Sequence, residues 1–146
     1  MTEARDLLRL RRLQSQNAAE KLATAEARCR AIESELVKAV EAFDAEQIAM
    51  EEARKARIAA MIGNPSDPVK IARIGLQYEA EQDAKLVRAD AIIALKDKLN
   101  SAYAEREIAR LKRNERAKAE RKIEELVLRL GVVQDQRQDA IMEDDR

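Results

Sequence analysis

The run Gly63-Asn64-Pro65-Ser66-Asp67-Pro68, near the middle of a 146-residue chain, is its only strong break. From about Thr2 to Ile62, and again from Pro68 to about Met142, no residue type stops a helix. Each residue of the break acts through its own chemistry. Gly63 can adopt the left-handed conformation that closes a helix. Pro65 and Pro68 push Asn64 and Asp67 out of the α region. Asp67 then suits an N-cap, with Pro68 at the first helical position, where its missing N–H costs nothing. Two long helices joined by so short a link fold back on each other. The expected fold is all-α: a single long antiparallel two-helix coiled-coil hairpin, with arm one at about 2–62, a turn at 63–67 and arm two at about 68–142.

Composition agrees with a thin seam. Apolar residues make up 46% of the chain and charged residues 38%, but the only aromatics are Phe43, Tyr78 and Tyr103. A mix rich in Ala, Glu, Lys, Arg and Leu is that of long helices and coiled coils. A thick core would need larger side chains.

Heptad spacing supplies the seam of the first arm. Leu22, Ala25, Cys29, Ile32, Leu36, Ala39, Phe43, Glu46, Met50, Ala53, Arg57 and Ala60 fit one a/d frame, and only Glu46 and Arg57 are not apolar. Leu8 and Ala18 extend it backwards through the weaker Arg11 and Ser15. The second arm reads as several short frames: Ile71, Ile74 and Tyr78; then Leu86, Ala89 and Ile93; then Ile92, Leu95, Leu99 and Ala102; and finally Ile123, Leu126, Leu130 and Val133. Such shifts imply local unwinding. Gly75 and Gly131 weaken this arm by roughly 1 kcal/mol each relative to alanine. An arm of about 60 residues spans about 90 Å, and folding about residue 65 pairs positions whose numbers sum to about 131. Ile32 then meets Leu99, Leu36 meets Leu95 and Leu8 meets Ile123. The residues after about 130, with Val132, Val133, Ile141 and Met142, are left without a partner helix.

Charge balances overall, at 28 basic and 28 acidic residues, but not locally. The segments 1–30 and 105–122 are basic, and 123–146 is acidic. No histidine is present, and the one cysteine, Cys29, sits at a seam position. No phosphate-cradling glycine motif occurs, and the carboxylates alternate with Lys and Arg at helical spacing. These features argue against an enzyme, a cofactor or a metal site. The charged N-terminus and the short apolar runs point to a cytoplasmic chain with no direct membrane insertion.

Two surfaces stand out as partner sites. Arg106, Arg110, Lys112, Arg113, Arg116, Lys118, Arg121 and Lys122 fall opposite Arg9, Arg11 and Arg12 in the expected register, forming a basic collar. Interleaved acids and the lack of stacking aromatics weigh against nucleic acid. The second is an apolar cluster at the turn: Met61, Ile62, Val69, Ile71, Ile74, Leu76 and Tyr78. One facing helix cannot cover Ile71, Ile74, Leu76 and Tyr78 together.

The Leu7-Leu8-Arg9-Leu10-Arg11-Arg12 opening, the alanine–glutamate arm, the central turn and the closing Lys122-Ile123-Glu124-Glu125-Leu126 resemble the stalk proteins of bacterial type III secretion, the YscO class and its flagellar counterpart FliJ. The resemblance runs over nearly the whole chain, and this chain departs from it in lacking tryptophan. It implies a monomeric, non-enzymatic stalk, peripheral to the secretion apparatus at the inner membrane. The hexameric secretion ATPase and an export gate protein would be its partners, with secretion chaperones as further ones. Arg9, Arg12, Arg113 and Arg116 would face the ATPase, and Ile71, Ile74, Leu76 and Tyr78 the gate. A structural coiled-coil tether or adaptor, dimeric by end-to-end or four-helix packing, is the alternative on the residues alone.

Overall fold

A computed structural model describes residues 2–63 and 67–144. The expectations for Asn64, Pro65 and Ser66 lie outside the described residues. Two helices account for the fold, α1 over Thr2–Ile62 and α2 over Pro68–Asp144. The chain is an all-α two-helix hairpin, with no strand among the described residues.

The start of α2 follows from Asp67. Its Oδ1 accepts the Val69 N–H at 3.1 Å, and its carbonyl accepts the Ile71 N–H at 3.3 Å, the first bond of the helical ladder. That is an N-cap satisfying an orphan amide, with Pro68 at the first helical position. The end of α1 differs from expectation. Among the described residues no glycine has a positive φ, so Gly63 does not close the helix in the left-handed conformation. A Cβ built on Gly63 would meet nothing within 4 Å, so space does not demand glycine either. Its contribution is low helix propensity alone.

The chain divides into two compact units, Met1–Arg28 with Ala102–Arg146, and Cys29–Ser101. In the first, Arg12 lies 4.0 Å from Glu120 and 3.6 Å from Glu124. Arg116 donates to Gln14 at 3.3 Å, and Arg28 pairs with Glu105 at 2.8 Å. As the α1 number rises the α2 number falls, so the helix segments are antiparallel. The second unit repeats the pattern, with Glu46 against Arg88 and Arg57 against Glu81, each at 2.6 Å. Gln14–Arg116 falls one short of the expected sum and Arg57–Glu81 seven beyond it. Long side chains reach a turn or more along the helix, which accommodates that spread.

Burial tests the seam position by position. In the second unit Cys29 and Ile32 are buried, at 1% and 3% exposure, and Leu36, Ala39, Phe43, Met50, Ile92, Leu95 and Leu99 are half-buried. The first unit centres on buried Leu8, Ala18 and Ala102, with Leu22, Ala25, Ile123 and Val127 half-buried. The α1 frame holds from Leu22 to Arg57 except at Ala53, which is exposed, as is Ala60 beyond it. The paired Glu46 and Arg57 bridge to α2 on long stems, a span that a single methyl does not cover.

Of the frames expected for α2, Ile92, Leu95, Leu99 and Ala102 hold throughout. Ile71, Ile74 and Tyr78 share their phase with only Ile74 half-buried, whereas the others are corrected by the structure. Leu86, Ile93, Leu126, Leu130 and Val133 are all exposed. Burial follows one heptad phase, through Ile74, Glu81, Ile92, Leu95, Leu99, Ala102, Ala109, Arg116, Glu120, Ile123 and Val127, but Tyr78, Lys85, Arg88, Arg106 and Arg113 in the same phase are exposed. Their spacings are combinations of three and four residues, as a heptad requires. Small and charged residues occupy several seam positions, which makes the sequence look shifted where the heptad phase is kept.

Candidate functional site

Each unit carries one of the candidate surfaces. In the first unit, the packing between α1 and α2 divides the expected basic collar into tied and free cations. Arg12 is engaged by two carboxylates, Glu120 and Glu124. Arg116 is half-buried and shares the Gln14 side-chain oxygen with Arg11, each donating at 3.3 Å. Arg110 grips Glu107 with two nitrogens, at 2.5 and 3.0 Å. That hydrogen bond is the main reason the Glu107 carboxyl is held below the usual carboxylate range, with the charges of Arg110 and Arg106 adding to it. The same bond pushes the Arg110 pKa up. Arg106 lies over the Tyr103 ring at 4.8 Å, within cation–π range.

Arg9 and Arg113 are different. Both are exposed, and neither makes a hydrogen bond or ion pair among the described residues. Of the four arginines proposed to face an ATPase, therefore, two are free to meet a partner and two already serve the contact between α1 and α2. Lys118, Arg121 and Lys122 are also exposed.

Sequence reasoning missed one arrangement in this unit. Lys21 of α1 and Lys112 and Arg116 of α2 line a common cleft of about 170 Å³ with Gln14, Asn17 and Ala18. No carboxylate lines that cleft itself, and Glu105 lines the adjoining cleft with Lys21 and Lys112. The only signal in the sequence is the pairing register, which sets Lys21 near Lys112.

In the second unit the apolar residues beside the turn separate in a similar way. Ile71, Leu76 and Tyr78 are exposed, together with Ile62 and Val69. Ile74 is half-buried and belongs to the seam. Tyr78 also lines an open groove of about 340 Å³ with Phe43, Met50, Gln47 and Glu81. The groove sits among imperfectly satisfied polar groups. Arg57 Nε and Gln47 Nε2 are buried with no hydrogen-bond partner among the described residues. Glu46 Oε2 lies 2.6 Å from Arg88 Nε, yet it is not aligned as a hydrogen bond. It is a charge contact only.

No family model, curated protein or solved structure matches the chain. Among the described residues, no group of three or more Cys, Asp or Glu side chains is placed to hold a metal ion. No described helix is long and apolar enough to cross a membrane. Among the described residues, exposed cations without a partner lie in the first unit, and exposed apolar side chains lie in both.

Proposed function

We propose that the chain is a non-enzymatic coiled-coil stalk of a type III secretion or export apparatus. In this reading it works as a single hairpin in the cytoplasm, peripheral to the apparatus at the inner membrane. The unit holding Arg9 and Arg113 engages the hexameric secretion ATPase and stimulates it. The residues beside the turn, Ile71, Leu76 and Tyr78, dock on the export gate protein. Arg12 keeps those surfaces in place from the rim of the helix pair, and Arg116 and Ile74 do so from the seam. Secretion chaperones are further partners of the same reading.

The observation that carries this proposal is the freedom of Arg9 and Arg113, exposed cations with no partner among the described residues. Uncommitted guanidinium groups are suited to carboxylates lining a ring pore. The test is ATP hydrolysis by the secretion ATPase of the same genome, with and without the chain. Reversing both charges (Arg9→Glu with Arg113→Glu) is expected to abolish the stimulation while helicity by circular dichroism stays at the parent level. Equal stimulation by the reversed and parent proteins would remove the assignment.

A tether or adaptor is the second reading, favoured by exposed apolar residues far from the turn, such as Val37 and Ile48. It predicts stable association with a helical partner and no effect on ATP hydrolysis.

A further inference from the structure

Cations from both helices gather around Gln14 in the first unit. The Gln14 side-chain oxygen accepts from Arg11 Nη1 and from Arg116 Nη1, each at 3.3 Å. The two guanidinium nitrogens are therefore no more than twice that distance apart, with only a neutral amide between them. Both arginines are half-buried, and Arg11 Nε is buried with no hydrogen-bond partner among the described residues. Arg116 also lines the cleft of about 170 Å³ with Lys112, one turn earlier on α2, and with Lys21 of α1. Like charges held this close repel, more so where packing excludes water.

The carboxylates nearby are engaged elsewhere or stand apart. Glu105 lines the adjoining cleft, but Arg28 holds it at 2.8 Å. Glu120, one turn beyond Arg116, lies against Arg12. Glu20 lines a separate hollow with Lys21, and Glu115 follows Lys112 by one turn on an exposed face. No ion pair joins Lys21, Lys112 or Arg116 to any of these among the described residues.

A ligand that suits this place is small, carries more than one negative charge and offers several acceptor oxygens to donors arriving from two helices. A phosphate group meets all three conditions, and a single carboxylate does not. The cleft has the volume of about five or six water molecules, room for a tetrahedral oxyanion and a water beside it.

We propose that this cleft is a phosphate-binding site, with Lys21 reaching the anion from α1 and Lys112 and Arg116 from α2. Bound phosphate offsets the repulsion between Arg11 and Arg116 and ties the two helices together. The site does not depend on the export reading, which turns on Arg9 and Arg113.

Calorimetric titration of the full chain with inorganic phosphate, against chloride at equal ionic strength, is the test. One phosphate per chain is expected, together with a higher melting temperature. Lys21→Gln with Lys112→Gln removes two exposed cations that no hydrogen bond or ion pair holds, so helicity is expected to persist while affinity falls about tenfold or more. Lys118→Gln with Arg121→Gln removes the same charge from exposed positions about 120° or more around α2 from Lys112 and Arg116. That control is expected to change affinity by less than about twofold, because distant charges are screened. In the parent chain, phosphate is expected to slow acetylation of Lys21 and Lys112 more than that of Lys118, which locates the site without any substitution. No heat beyond the chloride control, equal losses in the two variants, or uniform protection of the lysines would each overturn the proposal. Sedimentation with phosphatidylcholine vesicles carrying phosphatidic acid separates the sources of the group. Retention that disappears in the Lys21→Gln, Lys112→Gln chain would uphold the site and assign it to a lipid headgroup, whereas phosphate binding without retention would assign it to a soluble phosphate compound.

Discussion

Within the unit Cys29–Ser101, the same heptad frame is filled in two ways. Near Cys29 and Ile32 it is apolar and closed, and both residues are shielded from water almost completely. From Glu46 to Arg57 it is charged and only partly closed, held by Glu46–Arg88 and Arg57–Glu81. Burying an isoleucine is favourable without further conditions. Burying an ion pair is favourable only if every polar atom finds a partner, and Arg57 Nε does not. The closed stretch supplies stability, and the charged stretch favours one register through its ion pairs, with Arg57 Nε and Glu46 Oε2 left without a hydrogen bond. A thin two-helix seam needs both, because alanines and leucines alone fit many alignments equally well.

Three comparisons test that contrast. Ile32→Ala is expected to lower stability most, by about 2–4 kcal/mol, because it empties a buried site. Urea unfolding followed by circular dichroism would show it as an earlier midpoint at unchanged slope. Arg57→Leu is expected to lose roughly 1–3 kcal/mol by leaving Glu81 in the seam without its cation, whereas adding Glu81→Leu should bring stability back to the parent value or above. If the double variant stayed as unstable as the single one, the pair would be contributing more than register. The smallest effect belongs to Ala53→Glu, at a heptad position that the structure leaves exposed, with a change of about 0.5 kcal/mol or less. A large loss there would show that the charged stretch closes more tightly than its geometry indicates.

The contrast also explains what could be read from the residues. The break at Pro68, the cap at Asp67, the antiparallel pairing and the α1 frame are written in local chemistry, and the structure repeats them. Ala53 and Ala60 are the exceptions, since alanine is equally at home in a seam and on a surface. The α2 frame was harder to read for the complementary reason. Ala109, Arg116 and Glu120 occupy seam positions where a search for large apolar residues finds nothing, while Leu126 and Val133 advertise a seam on the wrong face. The division of the collar was not legible at all. Whether an arginine is free depends on which glutamate or amide the opposite helix brings to it, as Gln14 does for Arg116.

Cys29 gives this architecture a built-in gauge. At 1% exposure its sulfur cannot meet a thiol reagent unless the helices around it part. The rate at which an alkylating agent consumes it in native buffer therefore times the breathing of one defined place in the hairpin, with no probe added to the chain. Because this is the chain's one sulfhydryl, the signal has a single source. Anything that docks and tightens the helices near that point would slow the chemistry, and anything that pries them apart would speed it.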